Sequence, residues 1–214
     1  NLDILAGQKP DSNIDILDVS KAPHILISGT TGSGKTVFLY SMIVSLISKH
    51  SKDNLEIVIV DPKQTDFHFF KDLPHLRDNK IITDPEEALK MLDEINSIEK
   101  EHRTQMLIES NSRDIESYNA KNPSNPMKRL VVFIDEYADL VKAAETLGIR
   151  KDFEARLCML AQRVRNLGIH LVIATQRPSA SIVTTALKAN IPVRISFRLP
   201  AHQDSMTILD RTGA

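Results

Sequence analysis

The sequence predicts an α/β fold in which a mostly parallel sheet carries helices on both faces. Two observations lead there. Short β-branched runs alternate with helical stretches along the chain. The octet GTTGSGKT at 29–36 stands between one such run and one such stretch. A chain of 214 residues has room for one such domain with a substantial core and little for a second.

Residues 1–23 are polar and irregular and are expected to be a lead-in segment, a short hairpin before the sheet. The domain proper is expected to run over 24–214. HILIS (24–28), EIVIVD (56–61), RLVVFID (129–135), HLVIAT (170–175) and VRISFRL (193–199) are apolar runs of strand length. They read as strands buried on both faces, as a parallel sheet requires. Residues 35–49 are apolar nearly all round and predict a buried helix. A second helix is predicted over 85–109. Asp84 can cap it, Pro85 suits its first position and Glu87 can close a capping box. Leu89, Leu92, Ile95 and Ile98 mark one face of it. The stretch NPSNP (122–126) reads as a surface turn. Residues 152–167 predict another helix, stopped by Gly168.

Composition excludes several classes. Lys and Arg number 27 against 28 Asp and Glu, so nothing favours gripping nucleic acid over the whole surface. Any such contact would come from a local patch or an assembled channel. Cys158, inside LCML, is the one cysteine and reads as a core filler. The histidines show no zinc-ligand spacing. The apolar stretch at 37–47 falls short of the roughly 20 residues that span a bilayer. With no signal peptide in view, a cytoplasmic location is expected.

GTTGSGKT satisfies GxxxxGK[ST] through Gly29, Gly34, Lys35 and Thr36. Its backbone N–H groups, over Gly29, Thr30, Thr31, Gly32, Ser33 and Gly34, can turn toward phosphates, with the following helix N-terminus adding partial positive charge. Lys35 would reach the β- and γ-phosphates of ATP and the Thr36 hydroxyl would bind Mg²⁺. The run at 130–134 ends in Asp135-Glu136. Asp135 would hold the Mg²⁺ water shell beside Thr36, and Glu136 would serve as general base to the attacking water. The run at 170–175 ends at Thr175-Gln176, where the Gln176 amide can sense the γ-phosphate.

Five separated blocks then resemble the motor domain of the FtsK/SpoIIIE DNA translocases. They are APHILISGTTGSGKTVF, IVDPKQTDF, VVFIDEYADL, LAQRVRNLGIHLVIATQRPS and LKANIPVRISFRL…DSMTILDRTGA, in order and spacing, over about residues 14–214. The resemblance implies a RecA-like core, assembly into a hexameric ring around double-stranded DNA, and ATP held between subunits. It implies an arginine finger from the neighbouring subunit, for which Arg165 stands where the family keeps an arginine. Arg163, Arg194 and Arg198 are further candidates, and Arg177 can contact nucleotide or the next subunit. Asp61-Pro62-Lys63 matches a family signature whose role stays open. The segments 63–72, 142–151 and 177–188 are candidate DNA-contacting loops. The family pattern continues beyond the closing TGA, so the sequence is expected to be a C-terminally truncated piece of a larger protein with other domains or partner subunits. Two alternatives remain: a protein-export ATPase of the type VII secretion kind, and a HerA-like motor working with a nuclease.

Overall fold

The computed structural model describes residues 2–8 and 11–214; Asn1, Lys9 and Pro10 of the expected lead-in lie outside the described residues. Strands β1 (Asp3–Gln8) and β2 (Ile14–Asp18) pair antiparallel as a separate hairpin. Among the described residues, six further strands form one sheet: β3 (His24–Ser28), β4 (Leu55–Val60), β5 (Leu76–Ile82), β6 (Arg129–Ile134), β7 (Ile169–Thr175) and β8 (Val193–Ser196). Their spatial order is β5-β4-β6-β7-β3-β8 and every pairing is parallel. The helices are α1 (Lys35–Lys49), α2 (Pro85–Glu94), α3 (Lys100–Glu109), α4 (Ile115–Lys121), α5 (Tyr137–Thr146), α6 (Arg150–Arg163), α7 (Thr185–Ala189) and α8 (His202–Leu209).

The continuous apolar runs are explained by two cores, one on each face. Leu130, Val132 and Ile134 of β6 pack with Leu92, Leu140 and Leu157, under α2, α5 and α6. Val131 and Phe133, pointing the other way, pack with Leu39, Met42 and Leu46 of α1 and with Leu2 and Ile4 of the hairpin. A strand that alternates between two apolar environments shows no polar alternation.

Several expectations need correction. Strand β5 is absent from the sequence reading because its middle, Arg77-Asp78-Asn79-Lys80, is polar and both Asp78 and Asn79 have positive φ. It lies at the sheet edge, where charge is tolerated and discourages further pairing. The sequence pattern likewise does not mark helices α4, α5, α7 and α8. Helix α1 is not buried all round: Leu39, Met42, Ile43 and Leu46 face the core, but Val37 is 70% exposed. The stretch 193–199 is strand only to Ser196; beyond it, the Arg198 carbonyl accepts from Thr30 N–H at 3.1 Å instead.

The long helix over 85–109 contains a π-helical turn, Ile95–Glu99. The extra residue breaks the expected face: Leu92 and Ile95 are buried, but Ile98 is 70% exposed. The same turn sets Glu99 between Arg77 at 2.9 Å and Arg103 at 2.7 Å. Asp84 does cap α2, accepting from Glu87 N–H at 2.8 Å. Glu87 does not close the box, because its carboxylate pairs with Lys80 at 2.6 Å. A capping box forms instead at α4, between Asp114 and Ser117. The helix expected over 152–167 is α6 followed by a 3-10 turn, Arg165–Leu167, and Gly168 closes it at φ 70.

His24 and His170 sit at the starts of β3 and β7 and are both buried. Burial holds their pKa values down, to about 4 for His24 and about 3 for His170. Leu171 N–H donates to His24 Nδ1 at 3.2 Å, which requires that nitrogen unprotonated. The unfolded chain takes up these protons from about pH 6.5 downward, whereas the folded chain resists until far lower. Stability present above pH 6.5 is therefore lost as pH falls. Urea unfolding should give a stability lower by about 1.4 kcal/mol per histidine at about pH 5.5 than at about pH 7.5. His170→Gln should remove its share of that difference; an unchanged pH dependence would contradict this account.

Candidate nucleotide site

The segment 29–36 leaves β3 at its C-terminal end and enters α1. Gly34 is the residue before the helix and has φ 100, a backbone state that side chains with Cβ resist. A Cβ at Gly29 would stand 2.5 Å from Ser33 Oγ and 2.7 Å from Phe197 Cβ. The loop is thus wrapped tightly against the chain leaving β8. Thr30 is fastened there twice, its N–H and Oγ1 both donating to the Arg198 carbonyl, at 3.1 and 3.2 Å.

Parallel strands bring their C-terminal ends to one edge, where four chain segments converge. Lys35, from α1, pairs with Asp135 at the end of β6, and both are buried. Burial raises the Asp135 carboxyl above its ordinary value, and Lys35 only partly opposes this. Asp135 Oδ2 is buried with no protein partner.

Glu136 follows at φ 46, a left-handed conformation that is costly for glutamate by about 1–2 kcal/mol. The carboxylate is buried. Its Oε1 accepts from Gln176 N–H at 3.1 Å and from Thr175 Oγ1 at 3.3 Å, and its Oε2 from Lys63 Nζ at 3.2 Å. Gln176, at the end of β7 between β6 and β3, accepts from Thr31 Oγ1 at 2.8 Å. Thr30, Thr31, Gln176, Arg177, Arg198, Leu199 and Pro200 line an open groove of about 660 Å³ beside the loop.

The sequence leaves the role of the Asp61-Pro62-Lys63 signature open and counts Lys63 in a candidate DNA-contacting loop. Asp61, buried at the end of β4, accepts from the N–H groups of Lys63, Gln64 and Phe67 at 3.0, 3.1 and 3.3 Å. That closes the turn whose Lys63 reaches Glu136. An Asp two residues before a Lys at a strand end was the available signal, but its target lies just past the end of β6. Segment 63–72, a candidate DNA-contacting loop, is anchored at its middle, where Phe67 is fully buried and Tyr40 Oη donates to the Asp66 carbonyl. The other two candidate loops are joined, since Arg150 pairs with Glu145 and Glu154 and donates to the Ser181 carbonyl.

The arginine candidates divide. Arg194 pairs with Asp210. Arg177 and Arg198 line the groove. The Arg163 side chain lies outside what is described. Arg165 precedes β7 and so lies at the opposite edge of the sheet from the phosphate loop of its own chain, exposed beside a cavity of about 360 Å³. Among the described residues no cluster of His, Cys, Asp or Glu could enclose a metal. A divalent ion would rest on Asp135 Oδ2 and a hydroxyl and draw its other ligands from phosphates and water, which suits Mg²⁺.

Comparison with known sequences settles the family: the sequence model described as the FtsK/SpoIIIE family matches residues 2–180. The chain belongs to the FtsK/SpoIIIE family. The DNA translocase FtsK of Helicobacter pylori is 42% identical over 216 residues, covering 100% of this chain and 24% of that protein. The chain thus spans about a quarter of that relative's length. Among solved structures, the pCW3 conjugation coupling protein TcpA, in its monomer form with ATPγS, superposes with a TM-score of 0.82 at 31% identity, covering 98% of this chain and 57% of that one. The cytoplasmic domain of the Thermomonospora curvata type VII secretion ATPase EccC gives 0.80 at 28% identity, covering 98% and 25%. The fold of this FtsK/SpoIIIE member is accordingly a RecA-like P-loop ATPase core. Its phosphate loop is that of a nucleotide-binding family, and no helix of the described residues is long and apolar enough to cross a membrane.

Proposed function

We propose that residues 24–214 are the ATP-hydrolysing motor domain of a cytoplasmic DNA translocase, entered through the lead-in segment 1–23. The observation that carries the reading is the meeting of Lys35, Asp135, Glu136 and Gln176 at one sheet edge.

The backbone of 29–34 and the N-terminus of α1 would cradle the triphosphate. Lys35 would exchange Asp135 for the β- and γ-phosphates, and Thr36 and Asp135 would hold Mg²⁺. That ion neutralises charge on the phosphoryl group being transferred. Glu136 would orient and deprotonate the attacking water. Gln176, bonded to Thr31 in the loop and through its N–H to Glu136, would report the γ-phosphate to the segment 177–184. Arg150 links that segment to the turn between α5 and α6, so both candidate DNA loops would move together.

A homo-hexameric ring around double-stranded DNA accounts for the place of Arg165. Sited across the sheet from its own loop, it would complete the site of the next copy. Six copies of a few basic loop residues would line the channel although the chain carries a net charge of −1.

ATP turnover of the whole protein should rise on adding linear duplex DNA, and the stimulation should fall steeply with salt as phosphate contacts are lost. No response to DNA, with stimulation by a polypeptide instead, would favour the protein-export reading that the likeness to EccC keeps alive.

A further inference from the structure

Both oxygens of Glu136 are engaged, Oε1 twice and Oε2 once. Its carboxylate is buried, and each oxygen already accepts from the protein. A general base must accept a proton from water, and the acceptor site left to it is the second one on Oε2, beside the Lys63 ammonium, so water has to compete with Lys63 there. The two bonds at Oε1 come from the end of β7, Thr175 and the Gln176 backbone, and sheet pairing with β3 holds that strand end. The bond at Oε2 comes from a flexible side chain. Lys63 Nζ is 3.2 Å from Glu136 Oε2 and its side chain is 34% exposed.

A second carboxylate stands ready. Asp139 Oδ2 is 3.7 Å from the same Nζ. Glu136 immediately precedes α5, without a side-chain capping bond, and Asp139 lies in its first turn, so both charges stand near the same helix N-terminus. Nζ already lies within ion-pair distance of both carboxylates, so shifting from one to the other needs no backbone movement. Asp61 and the buried Phe67 hold the backbone of the Lys63 turn still. Burial works against the Lys63 charge, but Glu136 and Asp139 outweigh it and hold the ammonium above the ordinary lysine range.

We propose that Lys63 is a positioning residue that holds the Glu136 carboxylate in a resting orientation and frees it by transferring its ion pair to Asp139. The proposal rests on the reading of Glu136 as general base. It explains why a Lys follows Asp61 at the tip of the neighbouring strand: Asp61 fixes the turn, and Lys63 acts across the strand gap. In the resting state water finds Glu136 engaged. With the ammonium on Asp139, Oε2 is free to accept.

Lys63→Met keeps the length of the stem and removes the charge. In the whole protein without DNA, it should raise ATP turnover by about three- to tenfold, the scale of a partly exposed ion pair. Its affinity for ATPγS, read without turnover, should change by less than about twofold, because Lys63 does not hold the phosphates. Lys63→Arg should restore the low basal rate. Asp139→Asn removes the receiving carboxylate and should lower DNA-stimulated turnover. A structure of the whole wild-type protein with ATPγS and Mg²⁺ should place Lys63 Nζ on Asp139 and away from Glu136.

A basal rate that falls in Lys63→Met, an affinity for ATPγS that drops by about tenfold, or Lys63 still on Glu136 in the nucleotide-bound structure would each overturn the proposal. Glu136→Gln separates this failure from that of the underlying reading. If Glu136→Gln is inactive while Lys63→Met behaves as a plain loss, only the clamp is refuted. If Glu136→Gln turns over ATP normally, the base assignment goes with it.

Discussion

Glu136→Gln should bind ATP with an affinity within about twofold of wild type and turn it over about 10²- to 10⁴-fold more slowly. The substitution keeps the shape of the side chain and its carbonyl oxygen, so Gln176 N–H and Thr175 Oγ1 retain an acceptor. The left-handed backbone at φ 46 is no harder for Gln than for Glu. What disappears is the capacity to take a proton, together with the charge that binds Lys63. Single-turnover hydrolysis and equilibrium binding of ATPγS measure the two halves of the prediction. Wild-type turnover would remove Glu136 from the chemistry.

Lys35→Ala should abolish turnover, by about 10²-fold or more, and should also destabilise the protein. The second effect follows from Asp135. Lys35 and Asp135 are both 2% exposed and pair with each other. Removing one partner of a buried pair leaves an uncompensated charge, typically at a cost of about 3–5 kcal/mol. Burial already raises the Asp135 carboxyl, so proton uptake would recover part of that. A loss of activity in Lys35→Ala alone therefore mixes two causes. The double variant Lys35→Ala with Asp135→Asn isolates the second cause: urea unfolding should show most of the stability regained, while turnover stays absent with both the lysine and a proposed Mg²⁺ ligand gone. Activity returning together with stability would mean that Lys35 serves the fold and not the nucleotide.

The local features of the candidate site were legible because they are short-range. A loop that must turn backbone N–H groups inward needs glycine at Gly29 and Gly34, and a helix must follow to supply its N-terminus. Those demands fall on adjacent residues. The strands β3, β4, β6 and β7 were legible for a related reason: both faces are covered, so their apolar runs are unbroken. The reading weakened wherever a residue answers to something distant. Strand β5 is polar because it is an edge. Ile98 leaves the helix face its spacing suggests because the π-helical turn adds a residue ahead of it. Glu87 abandons its cap for Lys80 on β5.

Lys63 is the instructive case. In the sequence it belongs to a polar stretch between two strands and reads as a loop residue able to meet DNA. In the fold it lies beside the Glu136 carboxylate, which is 73 positions away along the chain. Arg165 poses the converse problem, since a cation whose expected anion belongs to another copy has no partner within its own chain.

The order of residues along this chain was enough to specify a phosphate cradle, the acidic pair at the end of a buried strand and the wound sheet that carries both, because each follows from backbone geometry or from burial periodicity over a few neighbours. Which side chains restrain one another at the sheet edge was settled by folding, through the order β5-β4-β6-β7-β3-β8. That order sets the ends of β4, β6 and β7 side by side, and electrostatic and hydrogen-bond contacts depend on separation in space, which the numbering of a chain does not record.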